Sequence, residues 1–235
     1  MVSFIEIEGK IVKGHFVERP NRFLALIDLD NEVVPCFLHN PGRMKELLVP
    51  GVEVFVREAN NQNRKTKFDL IGVMYEGELV SLDTIVPNKL VFEALKNKDI
   101  KEFNSYDFVK PEYGYRSSRF DFFLSNNNEN CLLEVKSCSL VKDGVALFPD
   151  APTLRGKRHL MELIDAKKQG YRACVLFVIQ RINADVFAPN DETDPDFGDA
   201  FRNALKNGVE AYAYYSEFSG NRIFLRNKLM IKPKI

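Results

Sequence analysis

The sequence predicts a mixed α/β fold in two parts. An N-terminal OB-fold β-barrel comes first, followed by an α/β domain built on a mixed central sheet. Three observations carry this. Residues 1–82 hold strand-type segments with one short helix-capable piece among them. Residues 83–235 alternate strands with helices after a hairpin, which is the pattern of an α/β layer structure. Within them RACVLFVIQR is a continuous apolar run, as in a strand buried on both faces.

Taken in order, FIEIEGKIVKGHFVE, RFLALIDLD and EVVPCFL are rich in β-branched and aromatic residues and predict strands. LDNEV, with Asn31 at its tip, predicts a hairpin turn between the second and third. HNPGRMKELLVPG, bounded by Pro41-Gly42 and Pro50-Gly51, predicts a short helix between turns. VEVFVRE and KFDLIGVMYE then complete a set of five strands. A helix between the third and fourth is the OB-fold order, although an SH3-like barrel gives a similar pattern.

After Pro87-Asn88, the spacing of Leu90, Phe92 and Leu95 predicts a helix over KLVFEALKNKDI. EYGYR, RFDFFLS, CLLEVKS and GVALF predict strands. LRGKRHLMELIDAKKQG predicts a helix after Thr153 that Gly170 stops. DPDFGDAFRNALKNG predicts another, with Asp194 as N-cap and Pro195 at the first helical position. VEAYAYYSEF and NRIFLRNKL close the chain as strands.

The 235 residues suffice for a core without disulfides or a structural metal, and 45% apolar with 28% charged residues is ordinary soluble composition. No apolar run approaches the roughly 20 residues of a spanning helix. MVSFIEIEGK has no basic start and apolar stretch, so a secretory signal is not expected. Cys36, Cys131, Cys138 and Cys174 form no CxxC pair, which predicts reduced thiols in a cytoplasmic protein and no zinc site. The formal net charge of zero leaves a nucleic-acid partner to be judged from local clusters.

The chemistry concentrates in RFDFFLSNNNENCLLEVKSCSL. Side chains two apart share a strand face, so Glu134 and Lys136 point one way and Leu133 and Val135 the other. The Asn-rich turn returns the chain so that Asp121 meets Glu134. Two adjacent carboxylates repel unless a positive charge stands between them, and Mg²⁺ takes such oxygens. The Val135 carbonyl is a third candidate ligand. Lys136 would then position a water or stabilise charge on a phosphate. Arg155, Lys157, Arg158 and His159 open the next helix as a basic cluster suited to phosphate. Gln180 lies late in the buried strand, either near the site or as a structural amide. FPDAPTLRG reads as a loop over the cleft, with Asp150 a further candidate ligand.

In the barrel, the basic loop Asn61 to Lys67, with Arg64, Lys65 and Lys67, lies where OB-folds hold nucleic acid. Arg22 and Phe23, placed on the second strand, pair a cation with an aromatic for gripping a backbone and stacking a base. His15 and His39 read as ordinary surface or turn residues. The acidic NDETDPD should face away from DNA.

Acid, then E-x-K on the next strand, then a helix, resembles the PD-(D/E)XK nuclease core. More specifically, HNPGRM, PNKL, SRFDFFL, CLLEVKS, FPDAPTLRGKRHLMEL and GYRA followed by IQR resemble the sugar fermentation stimulation protein family across nearly the whole chain. The resemblance implies an OB-fold domain over 1–82 and a restriction-endonuclease-like domain over 83–235. It also implies DNA binding, a nuclease-type metal site for Mg²⁺ or Mn²⁺, and a link to regulation of sugar-utilisation genes. Carried over by residue, Asp121 and Glu134 are metal ligands and Lys136 the catalytic lysine. Such cores take a further acid upstream, for which Glu112 is the candidate and Glu93 the competitor. Phe120 stands where the motif has proline, a backbone preference that supplies no chemistry. The implied partner is DNA, single- or double-stranded, with cleavage, binding without cleavage and homodimer formation left open and no membrane involved.

Overall fold

The computed structural model describes residues 2–59 and 64–234. Strand β1 (Phe4–Glu6) does not enter the barrel. It pairs antiparallel with residues 222–224, at the edge of the second unit's sheet. The segment that reads as one strand is two, because Gly9 takes φ +95°, a left-handed turn that an L side chain resists. This is the departure from a division at residue 82: the chain begins in the second unit and then crosses to the first.

The barrel follows with β2 (Ile11–Asn21), β3 (Leu24–Leu29), β4 (Glu32–Leu38), β5 (Glu53–Glu58), β6 (Phe68–Tyr75) and β7 (Glu78–Ser81). Their order is β4-β3-β2-β5-β6-β7, and a parallel β4–β6 pairing closes the first five into the OB topology. Phe16, Ile27, Leu38, Val54, Val56 and Leu70 fill the interior. The predicted helix between β4 and β5 is only a turn, Leu48 N–H to Met44 C=O at 2.9 Å. Pro41-Gly42 and Pro50-Gly51 leave too little chain for more.

The second unit comprises α1 (Val86–Lys96), β8 (Phe108–Tyr115), β9 (Ser118–Ser125), β10 (Asn130–Cys138), β11 (Val141–Lys142), β12 (Val145–Phe148), α2 (Leu154–Lys168), β13 (Arg172–Ile179), β14 (Val186–Pro189), α3 (Pro195–Lys206), β15 (Glu210–Ser219), β16 (Arg222–Lys228) and β17 (Met230–Ile231). Its main sheet runs β1-β16-β15-β13-β10-β9-β8, with the central β15, β13 and β10 parallel and the outer strands antiparallel. Helix α1 covers one face, packing Leu90, Val91 and Ala94 with Leu133, Val135 and Val178. Helices α2 and α3 cover the other, packing Leu160, Leu163 and Phe201 with Leu132, Val175 and Phe177. Burial on both faces explains the unbroken apolar run of β13. Phe55 and Ile71 of the barrel join the α1 cluster with Phe218, so the two units share part of one core.

Two loops set the walls of the cleft described below. The Arg19 guanidinium gathers the carbonyls of Gly42, Arg43, Arg22 and Asn40 at 2.7–3.0 Å. Asp194 caps two helical regions at once: Oδ1 accepts Phe197 N–H at 3.0 Å, and Oδ2 accepts Thr153 N–H at 2.7 Å. Replacing Asp194 by alanine removes both bonds in a buried setting. The expected cost is about 2 kcal/mol of unfolding free energy, measurable as a lower urea midpoint; an unchanged midpoint would contradict the double cap.

Candidate active site

The β9–β10 ladder stops at the Phe122–Leu133 pair. Beyond it the Asp121 carboxylate takes over, Oδ2 accepting the Val135 N–H at 2.7 Å. The strands therefore splay just where the polar residues begin. Oδ1 of Asp121 accepts from Asn88 Nδ2 at 2.6 Å, which ties the site to the first turn of α1. Glu134 and Lys136 share the α2-facing side of β10, and Lys136 Nζ lies 2.5 Å from Glu134 Oε1. His159 of α2 bonds the same oxygen through Nδ1. Arg155 Nε donates to His159 Nε2 at 3.3 Å, so Nδ1 carries the proton that His159 gives to Glu134.

Glu134 is 4% exposed and His159 1%. Burial alone would raise the Glu134 pKa, but Lys136 and His159 outweigh it and hold the carboxyl below its ordinary value. Burial first, and then the Glu134 charge, push Asp121 the other way, up to about 6. The pair thus carries unequal proton affinity. Glu134 Oε2 is buried and has no hydrogen-bond partner. A buried carboxylate oxygen left unpaired costs desolvation energy unless something positive meets it.

These features fit a divalent cation between the two carboxylates. Among the described residues no set of three or more His, Cys, Asp or Glu side chains converges on one point. A cation here would rest on Asp121, Glu134 and oxygens from backbone or water, with the Val135 carbonyl the nearest candidate in sequence. That all-oxygen, water-rich set suits Mg²⁺ or Mn²⁺ and not structural zinc.

The site opens into a cavity of about 440 Å³ between the units. Arg22, Asn40 and Gly42 come from the barrel side, and Asp121, Lys136 and Arg155 from the other. Asp150 bridges the walls, its Oδ2 accepting Arg43 N–H at 2.9 Å. A Cβ on Gly42 would collide with that carboxylate, which explains glycine in HNPGRM.

Two family models match the sequence. The model described as "SfsA N-terminal OB domain" matches residues 17–82, and "Sugar fermentation stimulation protein RE domain" matches residues 85–222. The chain belongs to the sugar fermentation stimulation protein family. Curated homologues of that name agree: one from Clostridium kluyveri is 45% identical over 94% of this chain and 97% of its own length. One from Caldanaerobacter subterraneus is 43% identical over 96% of this chain and 98% of its own. A solved structure, described as that of Pyrococcus furiosus SfsA in complex with Ca²⁺, superposes with a TM-score of 0.88 at 26% identity. That match covers 97% of this chain and 99% of the other.

Against this family background, Asp121, Glu134, Val135 and Lys136 come together as their spacing predicts. Other candidates do not. Glu112 has φ +54°, which turns it out of the β8 alternation, and it is exposed beside Arg119 at 3.4 Å. Glu93 faces out on α1 and pairs with Lys96. The residue that α1 does supply is Asn88, which the sequence signals only through its place in PNKL. Asp150 is engaged as an inter-unit bridge. The basic cluster disperses, because successive helical residues are rotated by about 100°. Arg155 and His159, one turn apart, face the site; Lys157 pairs with Asp196 at 2.8 Å, and Arg158 is exposed. His159 is a buried partner of Glu134, out of reach of a nucleic acid. Gln180 donates to Ser137 Oγ at 2.8 Å, and Ser137 lines the cavity, while Gln180 Oε1 is buried without a partner.

In the barrel, Arg22 and Phe23 form the turn between β2 and β3, with Asn21 Oδ1 accepting Phe23 N–H at 2.9 Å. Arg64 is held by Asp69 at 2.5 Å and lies over the Phe37 ring. Lys65 and Lys67 are exposed, while Asn61, Gln62 and Asn63 lie outside the described residues. No helix among the described residues is long and apolar enough to cross a membrane.

His159 bonds Glu134 Oε1 and leaves Oε2 without a hydrogen-bond partner. Replacing it by alanine should lower Mn²⁺ affinity by roughly 10- to 100-fold, the usual cost of losing a ligand's outer partner. Glutamine, which can still donate to Oε1, should recover part of the loss. Calorimetry of Mn²⁺ binding to the variants measures both, and equal affinity in all three would refute the role.

Proposed function

We propose that this protein binds DNA in the cleft between its units and hydrolyses phosphodiester bonds with a divalent cation at Asp121 and Glu134. The observation that carries the reading is the buried, unpartnered Glu134 Oε2 beside Asp121 and Lys136 on one cavity wall. The Ca²⁺ complexed with Pyrococcus furiosus SfsA in its solved structure supports a divalent cation in this family, with Mg²⁺ or Mn²⁺ the working ion here. When bound, such an ion supplies positive charge to a phosphate and acidifies a water. The chain's own residues do the rest. Lys136, fixed by Glu134, offers N–H donors to a phosphate oxygen as charge builds in the transition state. Arg22 and Arg155 supply cationic contacts for flanking phosphates. Asn88 and the Val135 N–H hold Asp121 in place. In the net reaction a water oxygen bonds to phosphorus, one ester P–O bond breaks, and the departing sugar oxygen takes a proton.

The test is incubation of end-labelled DNA with the protein and Mg²⁺ or Mn²⁺, beside Glu134→Gln and Lys136→Met. Shortened products with wild type alone support hydrolysis, and intact DNA in every lane refutes it. A second reading, a non-cleaving regulator of sugar-utilisation genes, is favoured by one observation. Helix α1 brings Asn88 to the site and no third carboxylate. On that reading DNA is retarded in gels at low salt and released as salt rises, yet is never cut.

A further inference from the structure

Three of the large exposed apolar side chains among the described residues are sequence neighbours of cavity-lining residues. Phe23, 47% exposed, follows Arg22; Ile85, 41% exposed, follows Thr84; Leu154, 85% exposed, lies between Thr153 and Arg155. Arg22, Thr84, Thr153 and Arg155 all line the cavity. Each unit thus places an exposed apolar residue next in sequence to a cavity-lining one, Phe23 on the barrel and Ile85 and Leu154 on the second unit, and we take these positions as the rim. Behind Phe23 the aromatic surface continues: its ring stacks on Phe37 at 6.4 Å, and Phe37 contacts His39 at 5.7 Å. The Arg64 guanidinium covers Phe37 at 5.3 Å.

We infer that the cleft takes a single DNA strand, with one phosphate at Asp121 and Glu134 and the neighbouring bases laid on the exposed Phe23 ring, which Phe37 backs, and on the Ile85 and Leu154 rim. This rests on the DNA reading above and specifies its substrate. Three features separate single strand from duplex. In a duplex the faces of the bases are hidden in the stack, so an apolar rim finds nothing to cover; in a single strand each base offers a π-face to an aromatic side chain. A cavity of about 440 Å³ accommodates one nucleotide-sized group. A duplex would have to give up a nucleotide from its stack to reach the carboxylates. Finally, the walls are tied together by the Arg43 N–H to Asp150 bond at 2.9 Å, and the barrel wall is set by Arg19, so a wider groove would require breaking these hydrogen bonds. Charge is complementary: of the cavity-lining residues, Arg22 and Arg155 are exposed and available to backbone phosphates, while Asp121 is half-buried and Glu134 buried.

The experiment is fluorescence anisotropy with a labelled thymidine oligonucleotide and a duplex of the same length, both in Ca²⁺, for wild type, Phe23→Ala and Leu154→Ala. Mn²⁺ binding is measured in parallel to show that the site is intact in the variants. The single strand should bind at least about tenfold tighter than the duplex. Phe23→Ala should weaken single-strand binding by about tenfold with Mn²⁺ affinity unchanged, as expected for loss of one stacking platform. Leu154→Ala should act in the same direction. Equal affinity for duplex and single strand, or an unchanged single-strand affinity in Phe23→Ala, overturns the single-strand assignment and leaves DNA binding standing. Failure of both DNAs to bind overturns the DNA reading itself.

Discussion

Glu134→Gln should abolish metal-dependent cleavage and lower Mn²⁺ affinity by at least about 100-fold. Loss of a ligand's outer partner already costs roughly 10- to 100-fold, and this substitution removes one of two charged ligands. The amide is nearly isosteric, and its oxygen still accepts from His159, so the fold should survive. It cannot neutralise Lys136 or attract a cation. A further consequence separates this from simple misfolding. The Glu134 charge is, after burial, the next cause holding the Asp121 pKa up. With glutamine there, Asp121 should titrate closer to its ordinary value, which NMR of the carboxyl carbon reads directly. An Asp121 titration identical in both proteins would mean the carboxylates are not coupled, and the shared cation site would lose its basis.

The strand hairpin was readable from sequence because period-two alternation fixes which side chains share a face. Asp121, Glu134 and Lys136 needed only that rule and an Asn-rich turn. Residues brought in from other elements were not readable in the same way. Asn88 lies 33 positions from Asp121, and only the packing of α1 across the splayed end of β9 joins them. His159 sits in a run of basic residues that suggests a phosphate-binding surface. Helical rotation buries it against Glu134 while turning Lys157 towards Asp196. Glu112 looked suitable by position, yet its left-handed backbone carries it out of the alternation. Gly9 hid a change of sheet within an apparently continuous strand, and β14, a short strand beside β12, offers too few residues for periodicity to declare it. In each case local pattern set the element, and the long-range contact decided the role.

Asp121→Asn should stabilise the cation-free protein, and by an amount that depends on pH. The folded carboxyl titrates at about 6 against an ordinary 3.8, so the native state holds its proton more tightly than the unfolded chain does. A raised folded pKa contributes stability that is fully present below about pH 4 and lost as pH rises through about 6. The asparagine variant has no such loss. The variant-minus-wild-type difference in unfolding free energy should therefore climb between those limits by about 3 kcal/mol. Hydrogen bonding adds a nearly pH-independent offset: the amide has one acceptor oxygen, while Val135 N–H and Asn88 Nδ2 both donate to Asp121. Asn88 can turn its own oxygen toward the new amide, but any residual mismatch shifts the whole curve and leaves its slope intact. Urea unfolding at several pH values measures that slope, and a flat difference would show that Asp121 ionises as an ordinary surface carboxylate. Adding Mg²⁺ at neutral pH should then stabilise wild type and not the variant, by an amount growing with the logarithm of ion concentration above its dissociation constant. Burial of the Asp121 charge, and then its repulsion by Glu134, cost the free protein stability, and a cation between the two carboxylates relieves both, so a variant that folds better should hold the ion worse.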